Sequence, residues 1–154
     1  IPVGLGVCAN VLTGKFIGKN KVDLAHRISN QIMFITLIWS ICQMALGGSD
    51  RSKLFNSILT MEGLTAIRPA WYVLVLFVFF DTMQGVSSGL ISGLSMMSDV
   101  KWVTTFNYWV IGIPLSAYLM YPKQMSLEGL WYGPTLACLM NYAYYTMKVH
   151  AVSW

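Results

Sequence analysis

From residue 69 to residue 97 this chain carries a single charged side chain, Asp81, in a run that is otherwise apolar, small or neutral polar. About 20 such residues suffice to cross a bilayer as a helix. In lipid each backbone N–H and C=O has to be satisfied within the segment or its closed partners, and a run of this length can do so only as an α-helix. The rest of the chain repeats the pattern in shorter form, so the expected fold is all-α, a polytopic membrane helical bundle. About four full transmembrane helices are predicted, at approximately 22–47, 69–97, 102–121 and 127–148, with the end of one more at approximately 1–13. Composition agrees. Of the 154 residues 56% are hydrophobic and 10% charged, whereas soluble domains carry roughly 25% charged residues. The mean hydropathy of +0.59 leaves too little polar surface to coat a water-soluble globule.

The net charge of +4 invites a nucleic-acid reading, but the ten basic residues are scattered between apolar segments rather than gathered on one face, which excludes it. Threading the segments alternately through a bilayer puts Lys15, Lys19, Lys21, Arg27, Lys101 and Lys148 on one side. Arg51, Lys53, Arg68 and Lys123 fall on the other, and the bias assigns the loop around residues 14–21 to the cytoplasmic or matrix face. The sequence does not distinguish among plasma, vacuolar and mitochondrial inner membranes.

Local signals mark the joints. Ile1 opens directly on an apolar stretch with no charged leader and no small-residue cleavage site, so it is no signal peptide; the expectation is that the N-terminal portion of the protein is missing. Residues 14–21 read as a glycine-punctuated basic loop, Asn20 as a candidate cap for the next helix, and Asp23 as favourably placed near its N-terminal dipole. Leu54, Phe55, Ile58 and Leu59 recur at helical spacing and predict an interfacial amphipathic segment over about 51–62. Pro69 suits a first helical turn and Pro122 a stop. Cys8, Cys42 and Cys138 all sit in apolar stretches, odd in number and without C-x-x-C or His pairing, and read as core thiols.

Asp81 is the residue with the strongest claim to chemistry. A carboxylate at the middle of a span costs about 2.5–3.5 kcal/mol on insertion scales unless it faces protein or water, binds a cation or takes up a proton. On a 3.6-residue helix Gln84, Gly85, Ser88 and Ser92 fall on the same face as Asp81. Gly85, Gly89 and Gly93 form a double G-x-x-x-G, the pattern that lets helices pack closely in lipid. Asn107 and Tyr108 in the fourth span either line the same cavity or bond neighbouring helices, and Asn141 offers a polar contact between helices. Pro114 predicts a bend with a freed carbonyl. His26 and His150 lie near loop ends and read as solvated. No metal site or soluble-type catalytic motif is present: there is no P-loop, H-E-x-x-H or G-x-S-x-G. With Asp81 alone in the membrane, an enzyme is not expected.

Three stretches together resemble the multidrug and toxic compound extrusion family (MATE transporters). Residues 10–20 followed by Ala25 look like the family's "vRvGnaLGagn…A" loop. Asp81-Thr82-Met83-Gln84-Gly85 through Gly89 and Gly93 is similar to its "D/E…Q…sGvlRGsG" helix. Tyr108-Trp109-Val110-Ile111-Gly112-Ile113-Pro114-Leu115 with Gly129-Leu130-Trp131-Tyr132-Gly133 resembles its "yYviGlPl…GlWsG" pair. Order and spacing match across nearly the whole chain. Leu12 and Ser92 stand where the family has arginine, and Met97 where it has glutamine.

The resemblance implies a twelve-span fold of two six-helix lobes, of which this chain corresponds to the end of the eighth span and spans nine to twelve. It implies a secondary-active antiporter exporting organic cations or amphiphiles in exchange for H⁺ or Na⁺, with no cofactor beyond that ion. Asp81 falls where the family keeps an acidic ion- and substrate-binding residue, with Gln84 on a cavity-lining turn and Tyr108 shaping the cavity. Gly85, Gly89 and Gly93 would let helices approach and move. The implied partners are the lipid bilayer, a missing N-terminal lobe or other membrane subunits, and an organic cation. The alternative expectation is a truncated, MATE-derived, non-transporting structural or accessory subunit of a larger membrane complex.

Overall fold

The computed structural model describes residues 2–48, 61–125 and 127–152. Helices α1 (Pro2–Gly18), α2 (Val22–Gly48) and α3 (Met61–Gly93) come first. Helix α4 (Met97–Phe106) then passes without a break through a π-helical turn, Asn107–Gly112, into α5 (Ile113–Met120), and α6 (Leu127–Ala151) closes the bundle. No strand occurs among the described residues, and the fold is an all-α helical bundle. Val22–Gly47 and Pro69–Gly93 are long and apolar enough to cross a membrane. The expected interfacial segment lies outside the described residues over 51–60.

Several joints differ from expectation. Helix α1 does not stop at Thr13 but continues through Gly14-Lys15-Phe16-Ile17 to Gly18. Asn20 is not a cap of α2. Its φ of 57° is left-handed, its N–H bonds the Ile17 carbonyl at 2.9 Å and the Lys21 N–H bonds that of Phe16 at 3.0 Å. Those two bonds close the end of α1 as a Schellman motif, in which asparagine is one of the few residues that tolerate the left-handed position. The same motif ends α3: Ser95 has φ of 60°, with Ser95 N–H on Ser92 O and Met96 N–H on Ile91 O. Helix α4 can therefore start at Met97, ahead of the expected Trp102, with Asp99 in its first turn. At the other end of α3 the helix begins at Met61, so Pro69 sits inside it rather than in its first turn. A proline there forfeits one N–H bond without ending the helix.

Helix α3 is the central element and packs against α1, α2 and α6, while α6 packs against α5 and the π turn. The core gathers Ala9, Ile32, Val86, Leu90, Ile91, Val100, Tyr145 and Val149 from five of the helices. Polar contacts pin the α2 interfaces: Thr13 and Ser29 hydroxyls are 3.2 Å apart, Thr82 donates to Gln43 Oε1 at 3.4 Å, and Trp71 Nε1 donates to the Gly47 carbonyl at 2.7 Å. Large apolar side chains such as Phe34, Ile35, Trp102 and Trp109 point outward, as they do when lipid rather than water is the surrounding medium. The same inversion corrects the reading of the thiols. Cys138 is buried, but Cys8 and Cys42 are exposed on outward faces, because an apolar stretch in a membrane bundle has no obligation to face the core.

Candidate functional site

The site is built on the contact between α1 and α3, two helices drawn together by small residues. A Cβ at Gly89 would overlap the Gly6 carbonyl, and one at Gly93 would lie 2.7 Å from the Asn10 carbonyl oxygen and 3.0 Å from Thr13 Cβ. The two backbones thus touch over one half of α3. Gly85, one turn earlier, meets nothing within 4 Å. Its backbone still lies against α1, since a Cβ at Gly6 would come within 3.3 Å of the Gly85 carbonyl oxygen; its missing side chain faces a groove of about 360 Å³ beside the seam, lined on the α1 side by Val3, Gly6, Val7 and Asn10 and on the α3 side by Asp81, Gly85, Ser88 and Ser92.

Asp81 lies at the open end of this groove. It is exposed, and among the described residues no side chain is hydrogen-bonded or ion-paired to it. A carboxylate left open to a groove in an apolar span keeps its full capacity for a cation or a proton. The Ser88 and Ser92 hydroxyls on the α3 wall and the Asn10 amide on the α1 wall add neutral polar groups, and Val3 and Val7 supply apolar surface. The groove can therefore hold a positively charged group with an apolar body. No cluster of three His, Cys, Asp or Glu side chains occurs among the described residues.

Gln84 and Tyr108 are brought together, but not into the groove. The Tyr108 hydroxyl donates to Gln84 Oε1 at 3.0 Å and lies 3.2 Å from Cys138 Sγ. With the phenol proton committed to Gln84, the Cys138 thiol is the donor in the second contact. The face expected to carry Asp81, Gln84, Gly85, Ser88 and Ser92 is thus divided between two neighbours, the groove beside α1 taking four of these residues and Tyr108 of the π turn the amide. A helix that is packed on two sides splits a stripe that its own periodicity makes continuous.

The π turn accounts for the reach of Tyr108. Asn107 is buried and donates to Asn141 Oδ1 at 2.7 Å, which settles both asparagines as partners across α6 rather than cavity-lining groups. Gly112 is buried against the Gly133 backbone of α6. Five residues of α-helix would turn Gly112 roughly 140° away from Asn107 at 3.6 residues per turn. The extra residue of a π turn brings both to one face. The Ile113 N–H, bonded to the Tyr108 carbonyl, closes that wider loop. Pro114 follows immediately, so the bend expected there takes the form of a widened turn next to the proline.

Two groups in this arrangement were not singled out from the sequence. Asn10 precedes the basic turn and reads there as part of a loop motif; its i, i+4 spacing from Gly6 was the available signal for a shared face. Cys138 reads in the sequence as a core thiol, and nothing local marks it as a partner of Tyr108.

The MatE family model matches residues 1–118. This chain belongs to the MatE family. Among its MatE relatives, the "Probable multidrug resistance protein NorM" of Pasteurella multocida is 25% identical over 138 residues, covering 86% of this chain and 30% of the relative. The protein of the same name from Photorhabdus laumondii is 29% identical over 147 residues, 90% of this chain and 32% of the relative. "Multidrug and toxin extrusion protein 1" of Oryctolagus cuniculus is 25% identical over 158 aligned positions, 100% of this chain and 27% of the relative. The chain thus spans about a third or less of the length of these relatives. No solved structure matches it significantly.

Proposed function

We propose that this chain forms part of a secondary-active antiporter that exports organic cations or amphiphiles in exchange for H⁺ or Na⁺, with Asp81 as the ion or substrate site. Membership of the MatE family and the names of the relatives, multidrug resistance and multidrug and toxin extrusion proteins, support export as the activity. The single observation carrying the assignment to Asp81 is a lone carboxylate that opens onto the α1–α3 groove from an apolar span. Burying that charge against lipid would cost several kcal/mol, and occupation by a cation or a proton removes the cost. Competition between the two for one carboxylate is the simplest form of exchange: whichever arrives neutralises the site and displaces the other. Gln84 stands one turn from Asp81, and the closely packed glycines of α1 and α3 form the seam along which the groove can widen or close.

The test is efflux of a fluorescent organic cation from cells or proteoliposomes containing the intact protein. Asp81→Asn, which keeps size and hydrogen bonding but loses the charge, is expected to cut export at least tenfold with unchanged protein abundance. Wild-type export by Asp81→Asn refutes the assignment. Imposing a Na⁺ gradient and a pH gradient separately identifies the coupling ion, since only one is expected to drive uptake into inverted vesicles.

A further inference from the structure

A serine or threonine hydroxyl inside an apolar helix can satisfy itself on the carbonyl four residues earlier. Thr36, Ser87, Thr135 and Thr146 all do so in this bundle, at 2.7, 2.8, 2.7 and 2.8 Å. Ser88 and Ser92 do not. Among the described residues neither hydroxyl has a hydrogen-bond partner, and neither has the Asn10 side chain. All three line the groove that holds Asp81. Ser88 and Ser92 follow Asp81 by close to two and three full helical turns, so the three side chains stand in one row, the serines roughly 10 and 16 Å along the axis from the acid. Helix α1 runs alongside in the same direction, with Gly6 against Gly89 and Asn10 against Gly93. Val3 therefore stands towards the Asp81 end and Asn10 beside Ser92. The groove is graded from a charge, past Val3 and the bare face of Gly85, to unpartnered hydroxyls and an amide.

We propose that the groove selects elongated amphiphilic cations carrying a neutral hydrogen-bonding group, such as a hydroxyl, ether or amide, about 10–16 Å from the charge. Ser88, Ser92 and Asn10 are the specificity-determining residues for that neutral end. This rests on the assignment of Asp81 as the ion or substrate site and gives the site a second pole. A polar group carried into an apolar span without a partner is costly, so the ligand's far end is stabilised only where partners wait for it. Hydroxyls and a primary amide both donate and accept, and the far end therefore takes either kind of neutral group. Asp81 is the one acid among the lining residues, which leaves a second cationic group without a counter-charge. A proton or a small metal ion on the carboxylate does not extend to Ser88. The two competitors for Asp81 thus differ in what else they touch, and the serines and Asn10 favour the organic one.

The experiment measures inhibition constants against export of a fluorescent organic cation by the intact, reconstituted protein. The probes are two series of straight-chain alkyltrimethylammonium ions of increasing length, one ending in a methyl group and the other in a hydroxyl. Once the chain is long enough to reach Ser88, the hydroxyl is expected to lower the inhibition constant roughly three- to tenfold, the range of one net hydrogen bond. Shorter members are expected to show no gain. The triple variant Asn10→Ala, Ser88→Ala, Ser92→Ala is expected to erase the gain, whereas Ser92→Thr, which keeps a hydroxyl, is expected to retain it. Because the readout is the ratio of two probes on one sample, a variant that folds less well loses activity without moving the ratio, and the wild-type length series tests the proposal without any variant. Absence of a hydroxyl gain at every length in the wild type overturns the proposal, as does a gain that survives in the triple variant. Normal export by Asp81→Asn refutes the site and this reading of it together; lost export in Asp81→Asn with no hydroxyl gain in the wild type refutes the substrate class alone.

Discussion

Gly85 and Gly89 are four residues apart on α3, and the structure gives them opposite tolerances. A side chain at Gly89 would run into the Gly6 backbone, whereas one at Gly85 enters open space at the mouth of the groove. Gly89→Ala is therefore expected to destabilise the protein by about 1–3 kcal/mol, the usual cost of overpacking. Gly85→Ala is expected to be neutral or slightly stabilising, since alanine is the better helix former by about 1 kcal/mol. Thermal melts of the purified protein in detergent distinguish the two, and an equal loss of melting temperature in both would contradict the described α1–α3 contact. The contrast matters for function as well. A larger residue at Gly85 narrows the groove beside Asp81 without disturbing the seam, so Gly85→Leu is expected to reduce export of bulky organic cations while the melting temperature holds. The sequence predicts all three glycines as a packing ladder; which of them turns its missing side chain toward α1 and which toward the groove depends on how α1 is laid along α3, and that is not a property of the motif.

At the scale of the helix, ends and irregularities carry most of what differs from expectation. Asn20 and Ser95 both end helices in the left-handed conformation, although an asparagine ahead of a helical run is equally a good N-cap by its chemistry. The choice between the two is made by the carbonyls of Phe16 and Ile17, which need partners at the end of α1. The π turn is the larger case. Deleting Val110, which is 53% exposed and contributes little packing of its own, removes the extra residue and restores an α-helical register. Asn107 and Gly112 can then no longer both face α6. Loss of the buried Asn107–Asn141 bond leaves polar groups without partners in a span, an effect of about 1–3 kcal/mol. The deletion is expected to lower the melting temperature by several degrees, whereas Val110→Ala should not. Residues 107–112 show no sequence mark of the π turn beyond the proline that follows it, since its cause is the pair of contacts made by α6.

Across the whole molecule, α1 and α3 run parallel with α2 antiparallel to both, which gathers the ends of several helices. The Gly93 end of α3 lies against Asn10, Thr13 and Gly14 of α1, and Val100 and Val149 join one core. The turn holding Lys19 and Lys21 is therefore at the same end of the bundle as Lys101 and Lys148. At the other end Trp71 meets Gly47, Ser116 meets the Leu130 carbonyl, and the turn after α5 carries Lys123. In a cysteine-free background, Lys19→Cys and Lys101→Cys are expected to react with an impermeant maleimide from one face of the membrane, and Lys123→Cys from the opposite face. Labelling of Lys19→Cys and Lys123→Cys from one common face would overturn the membrane-spanning arrangement.

Apolar runs longer than a bilayer is thick, broken by turn residues and cations, sufficed to determine an all-α membrane bundle, because lipid permits no other backbone arrangement for such segments. The same runs isolated Asp81, since a charge in a span is costly wherever the helices go, and three motifs in order indicated the family. Tertiary structure alone decided what each side chain of α3 faces. It left a groove at Asp81 beside the α1–α3 seam, and turned Gln84 instead to Tyr108. It also widened one helical turn so that Asn107 and Gly112 meet α6 together. Periodicity fixes which residues share a helical face, but the number and placement of neighbouring helices determine how that face is divided.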